Sequence, residues 1–253
     1  MLKNRIITTM LWNGTTLVKG HNFINSRRAG SPITTIKIYN SRDVDEIIFF
    51  DITKNQNNSD FDLDFIKQLT DECHVPITIG GGVKKISDID NLLLYGADKI
   101  SLNSINYKSL SLLSNSSKKF GSQTIVVGID YKKIDNKFRC FSNSGEKIED
   151  EEPLSWAQKC ADEGAGEIIL TSISNDGLMN GYDCEMLSKI SSKLNIPVVV
   201  SGGAGTYNHF LDAFNSGASA VAAASIYHFT ERTPAEAKKF LIKNNIPIRI
   251  NFK

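Results

Sequence analysis

Cysteine and histidine are scarce in this chain, and neither is grouped. Cys73, Cys140, Cys160 and Cys184 stand far apart with no CxxC, and His21, His74, His209 and His228 show no paired spacing. Metal sites draw on closely spaced ligands, so no metal centre is expected and the thiols read as buried or incidental. No apolar run approaches the roughly 18 residues that cross a bilayer. The opening residues, MLKNRII, run straight into strand-like sequence without the layout of a signal peptide. A cytoplasmic protein with no membrane partner is therefore expected. An excess of either charge is missing too: 29 basic residues face 28 acidic ones, a net charge of +1. That balance leaves no electrostatic footprint for nucleic acid. No cofactor is expected. One further absence is local: no carboxylate occurs before Asp43.

What is present is a strict alternation. Short β-branched runs at 5–12, 46–52, 76–79, 99–102, 124–130, 167–172, 196–201 and 220–224 are separated by segments of helical length. Several runs are apolar throughout, as where both faces of a parallel strand are buried. Helices are predicted, among others, at 60–73, 85–94, 154–163, 183–194 and 234–243. Eight such units in 253 residues predict a (β/α)8 barrel, one domain spanning 1–253. The polar stretch 131–152, which contains Asp135-Asn136, reads as a small hairpin after the fifth strand.

The two halves repeat one another. CHVPITIGGGVKKISDIDNLLLYGADKISLNS (73–104) aligns without a gap on LNIPVVVSGGAGTYNHFLDAFNSGASAVAAAS (194–225). Pro76 falls on Pro197, Gly81-Gly82 on Gly202-Gly203, Gly96-Ala97 on Gly217-Ala218, and Ser104 on Ser225. The same offset sets Asp51 opposite Ser172. Glycines, a proline and a serine in one register point to a duplicated half-barrel.

Each half thus carries a strand, a Gly-rich turn, and a strand ending in a small polar residue. Glycine lets backbone N–H groups approach anionic oxygens, and a following helix N-terminus adds donors. Gly81, Gly82, Asn103 and Ser104 form one expected anion site. Gly202, Gly203, Ala224 and Ser225 form the other, closed by Asp176-Gly177. Two such sites at one barrel mouth imply a phosphorylated small molecule with two anionic ends.

The segments LVKG (17–20), DIT (51–53), TIGGGV (78–83), GADKISLNS (96–104), GSQTIVVGID (121–130), GAGEIILTSISNDG (164–177), GYD (181–183) and VSGGAG (200–205) resemble the cyclase subunit of imidazole glycerol phosphate synthase. That resemblance implies a ribulose-phosphate-binding barrel that takes ammonia from a glutaminase subunit in a heterodimer. Its family combines the ammonia with a bisphosphorylated ribulosyl aminoimidazole, yielding imidazole glycerol phosphate and aminoimidazole carboxamide ribonucleotide. It also implies ligand contacts from Lys19, Asp51 and Thr171. The family's acid/base pair consists of two aspartates, ending the first and fifth strands. Asp130 fills the second place, and the first falls on Leu11 in RIITTMLWNGTTLVKG. Leucine transfers no proton, and losing such a group costs about 10²–10⁴-fold in rate.

The resemblance further implies a charged ring of Arg5, Glu46, Lys99 and Glu167 at the barrel's lower end, with Asp98 at the rim facing the glutaminase. A retained gate, retained anion turns and the altered TTMLWNGTTLVKG and FINSRRAGSP segments look similar to the glycosyl amidation-associated (WbuZ-type) branch. Members of that branch work with a glutaminase and a sugar amidotransferase to form acetamidino groups on surface polysaccharides. Two alternatives stay open: a histidine-pathway cyclase that tolerates Leu11, and a non-catalytic ammonia conduit. A sugar-phosphate isomerase on a related barrel would leave the lower ring without a purpose.

Overall fold

The computed structural model describes residues 3–53 and 60–250; both ends of the expected 1–253 unit lie outside the described residues. Eight parallel strands close on themselves. They are β1 (Arg5–Trp12), β4 (Glu46–Asp51), β5 (Ile77–Gly80), β6 (Lys99–Leu102), β7 (Ile125–Ile134), β10 (Glu167–Ser172), β11 (Val198–Ser201) and β12 (Ala220–Ala223). Neighbours pair in chain order, and β12 pairs with β1 to complete the ring. The expected (β/α)8 barrel is the fold.

Between these strands run α1 (Pro32–Ser41), α2 (Leu63–Asp71), α3 (Ile86–Leu94), α4 (Ser111–Phe120), α5 (Pro153–Asp162), α6 (Cys184–Ser191) and α7 (Tyr207–Asn215). The short α8 (Ser225–His228) and then α9 (Pro234–Lys243) follow β12. The predicted helices at 60–73 and 183–194 start later than expected, at Leu63 and Cys184, for one reason. Asp62 and Asp183 stand outside their helices as caps, accepting from the backbone N–H of Phe65 and Met186 at 3.0 Å. Such a cap satisfies an orphan donor, and Asp62→Ala should cost about 1 kcal/mol, read from the shift in urea midpoint at constant slope.

The duplication holds in three dimensions. Adding 121 to the bounds of β4, β5, α3 and β6 gives those of β10, β11, α7 and β12. Strand alternation then sorts side chains into two cores. Outward residues such as Ile6, Met10, Ile47, Ile100 and Val127 pack under the helices. Inward residues Ile7, Ile48, Val126, Ile169, Val199, Ala220 and Ala222 fill the barrel's middle.

Two hairpins rise above the barrel's C-terminal end. The expected one runs from the extension of β7 through β8 (Lys137–Ser142) to β9 (Lys147–Ile148). It turns at Asp135 and Asn136, both with positive φ (45° and 63°) as a tight two-residue turn requires. This corrects the expected end of the fifth strand at 130, because the hairpin prolongs it to Ile134. The other hairpin, β2 (Leu17–His21) with β3 (Ile24–Gly30), has no counterpart among the predicted strands. Its turn at Asn22-Phe23 also has positive φ, 51° and 66°.

Candidate active site

A cavity of about 650 Å³ opens at the C-terminal ends of the barrel strands, where ligand sites of this fold lie. Every residue expected to bind a ligand lines it: Asp51, Gly81, Gly82, Asn103 and Ser104 on one side, and Lys19, Thr171, Asp176, Gly177, Gly202, Gly203, Ala224 and Ser225 on the other. Asp130 and Leu11 line it as well.

The glycine turns owe their residue type to a shared contact. Gly81 has φ 98°, and a Cβ there would sit 2.1 Å from the carbonyl oxygen of Asp51. Gly202 has φ 85°, and its Cβ would meet the carbonyl of Ser172, the repeat partner of Asp51, at 2.8 Å. Both turns lie tight against the preceding strand, which leaves their backbones bare toward the cavity.

Strand register shows what the duplication kept and what it replaced. Asp130 pairs with Thr171 across β7 and β10. Leu11 pairs with Phe50 across β1 and β4, and Phe50 is the repeat partner of Thr171. Leu11 therefore occupies the counterpart of the Asp130 position. The surroundings differ in the same way. Asn103 donates through Nδ2 to Asp130 Oδ2 at 2.8 Å, and Thr171 also bonds this carboxyl. Their partners across the repeat are Ala224 and Phe50. Asp130 thus stands among polar donors, whereas the matching position, Leu11, is flanked by Phe50.

Burial pushes Asp130 up to about 7, against the pull of Asn103 and Thr171, and the charge of Asp176 adds to the rise. A carboxyl poised there is both proton donor and acceptor near neutral pH.

The unpredicted hairpin straps the second-half side. Lys19 forms an ion pair with Asp176. Asn22 N–H donates to the Asp176 carbonyl at 2.8 Å, and its side-chain amide donates to the carbonyls of Ile173 and Ser174. Gly177 has φ 79°, and a Cβ there would lie 2.1 Å from the carbonyl oxygen of Gly20 in the strap. Gly177→Ala should loosen this seam. The left-handed conformation alone costs alanine about 1–2 kcal/mol, so the Asn22 amide should exchange with deuterium about tenfold faster.

At the opposite end of the lumen the expected charged ring is closed. Arg5 Nη1 meets Glu46 Oε1 at 2.8 Å and Arg5 Nη2 meets Glu167 Oε1 at 2.5 Å. Lys99 Nζ bridges Glu46 at 3.1 Å and Glu167 at 2.9 Å. Burial acts to raise the Glu167 carboxyl, yet Arg5 and Lys99 outweigh it and hold the group below its ordinary value. Asp98 is exposed beside this ring, and its Oδ2 accepts the Ile77 N–H at 2.8 Å. It therefore anchors the start of β5 whatever else meets it.

Among the described residues no group of three or more His, Cys, Asp and Glu side chains could hold a metal ion. Among the described residues, too, no helix is long and apolar enough to cross a membrane. Several cavity residues carried no signal in the sequence. Phe23 and Ser26 belong to the hairpin, and Lys84 and Lys108 follow the first-half turns by a few residues. The lysines' positions after Gly82 and Ser104 were the available clue.

A family model described as histidine biosynthesis protein matches residues 6–233. Imidazole glycerol phosphate synthase subunit HisF of Endomicrobium trichonymphae is 44% identical over 250 residues, 98% of this chain and 96% of that protein. The subunit of Campylobacter concisus is 44% identical over 234 residues, 92% of this chain and 93% of that protein. That of Bacteroides thetaiotaomicron is 40% identical over 250 residues, 98% and 100% of the two chains.

Proposed function

The chain belongs to the histidine biosynthesis protein family, in the branch of the HisF subunits, and from that footing we propose that it is an ammonia-dependent synthase subunit acting on a sugar derivative. Ammonia is released by a HisH-like glutaminase docked at the lower ring and rises through the apolar lumen. Neutral ammonia tolerates such a lining, whereas ammonium would have to shed its hydration there. The acceptor is a phosphorylated ligand held at both ends by the Gly81-Gly82 and Gly202-Gly203 turns, with Asp130 as the proton-transfer group. Its product belongs to acetamidino-group formation in surface polysaccharide biosynthesis, in concert with a sugar amidotransferase.

The observation that carries this reading is Leu11 in the position matching Asp130. Ring closure to an imidazole needs a donor and an acceptor on opposite sides of the ligand, and here the position matching Asp130 is Leu11, beside Phe50. The test is cyclisation of the bisphosphorylated aminoimidazole with ammonium salts. The parent protein should be slow, and Leu11→Asp should gain about 10²-fold, the lower range for one acid/base group. Robust cyclisation by the parent would overturn the proposal.

A second reading has its own support in the names of the relatives: a cyclase of histidine biosynthesis that works with Asp130 alone. It predicts that the gene rescues a cyclase-deficient histidine auxotroph. Absence of growth with soluble protein counts against it.

A further inference from the structure

The lower ring differs in build from one side to the other. Arg5 and Glu46 stand at the starts of β1 and β4, and a buried charge pair lies directly behind them. Asp45, next to Glu46, accepts the N–H of Ile6, next to Arg5, through Oδ2 at 2.8 Å. Its own N–H donates to the Ile6 carbonyl at 3.0 Å. Asp45 Oδ1 accepts from Lys238 Nζ of α9 at 2.7 Å, and the two side chains are 0% and 4% exposed. Lys238 also reaches Asp43 at 3.2 Å. Before Arg5, the Asn4 N–H donates to the Pro247 carbonyl at 2.9 Å, and the Asn4 carbonyl accepts the Arg249 N–H at 3.0 Å. Thus α9 and the segment after it hold β1 on both sides of Arg5. The Glu167 side is built otherwise. There the repeat partner of Asp45 is Gly166, where a Cβ would sit 2.0 Å from the Ser122 carbonyl oxygen.

Stability alone does not explain a lysine and an aspartate buried together. Taking both out of water is expensive, and apolar residues of equal volume often stabilise a fold as well or better. Burial pushes the Asp45 carboxyl up, against Lys238, the Ile6 N–H and Arg249. A hydrogen-bonded pair of this kind does fix one arrangement of the elements it joins. Here those elements carry Arg5, whose guanidinium forks to Glu46 at 2.8 Å and to Glu167 at 2.5 Å. Such a fork is rigid and planar, so a small shift of β1 would break one of its arms. From this arrangement we infer that Lys238 and Asp45 are positioning residues of the lower ring, holding the starts of β1 and β4 so that Arg5 bridges Glu46 and Glu167. The bearing of this on ammonia passage rests on the gate reading of the ring, whereas the placement of Arg5 is independent of it.

Carboxyl ¹³C NMR on the full chain, labelled at glutamate, reads the ring directly and needs neither glutaminase nor ligand. The Glu167 signal is assigned by its loss in Glu167→Gln. In the parent protein Arg5 and Lys99 hold this carboxyl below its ordinary 4.5. In Lys238→Met, which keeps a long side chain and removes the charge, the Glu167 midpoint should rise toward 4.5 as Arg5 loses its place. Lys238→Arg restores the charge and should return the midpoint toward that of the parent. A methionine variant that unfolds at lower urea concentration yet titrates at Glu167 like the parent would overturn the inference and leave a purely structural pair. Where that variant does not fold, Asp45→Asn/Lys238→Met removes both buried charges and keeps an oxygen for the Ile6 N–H. The same rise is expected there, and an unchanged midpoint overturns the inference equally. Neither result bears on the cyclisation test of the proposed function, so the two fail separately.

Discussion

Asp130→Asn is expected to lower turnover of the proposed sugar-derivative substrate by about 10²–10⁴-fold, the range for a lost acid/base group. The substitution is close to isosteric, and the Asn103 amide that donates to Oδ2 can donate equally to an amide oxygen. Binding of the phosphorylated ligand, through the turns, should change little. A steep fall in kcat with an unchanged dissociation constant is therefore the signature. Retained pathway output would instead favour the pure ammonia conduit, in which the barrel mouth does no chemistry.

The same carboxyl supplies a pH test. Its folded value is raised from 3.8 to about 7 by burial. A raised carboxylate favours the neutral form in the folded state, so its contribution to stability is greatest at low pH. That contribution is lost as pH rises from about 4 to about 7. Asp130→Asn removes this titration, so the difference in Tm between variant and parent should move in the variant's favour from pH 5 to pH 8. The rate profile of the parent should turn near pH 7.

Glu167→Ala is expected to cost about 3–5 kcal/mol of stability, the range for breaking a buried ion pair by deleting one partner. Glu167 accepts from both Arg5 and Lys99, so its loss leaves two cations with half their partners. The side chains are 7% to 20% exposed, and residual solvation of Lys99 places the expected cost at the lower end of that range. Chemical denaturation measures it. The Glu167 carboxyl is held below its ordinary 4.5 in the folded state, so the ring's contribution is present above that value and is lost as pH falls through the lower folded value. Glu167→Gln keeps the shape and most of the packing, and serves where the alanine variant unfolds. With a glutaminase partner, it should reduce glutamine-driven turnover while leaving turnover on added ammonium salts near the parent level. Equal loss on both ammonia sources would reject a gate and leave a structural ring.

Two features were visible in the linear chain for different reasons. The barrel followed from periodicity: buried parallel strands leave apolar runs such as EIIFFD and EIILTS that need no context to be seen. The anion turns followed from repetition, since Gly81 and Gly202 face the same carbonyl contact in each half and so keep the same residue at the same offset. The β2–β3 hairpin left no such trace. Leu17 and Val18 at its base are buried, Leu17 within the main core, but His21 and Ile24 at its tip are exposed, and LVKGHNFINSRRAG shows no clean alternation of apolar and polar residues.

By itself, then, the amino-acid order determined the duplicated (β/α)8 architecture, the two glycine turns and a first strand without a carboxylate, with Leu11 near its end. Each is a matter of local period or fixed offset, which covalent order carries directly. Tertiary structure alone decided which side chains meet. Arg5 reaches Glu167 across 162 positions and Lys19 reaches Asp176 across 157, because barrel closure brings strand ends together without regard to their separation in sequence. Closure also set Leu11 beside Phe50 where Asp130 stands beside Thr171, and brought Lys19 of the β2–β3 hairpin against Asp176. The repeat is symmetric in backbone, and its chemistry is decided by the neighbours that closure supplies.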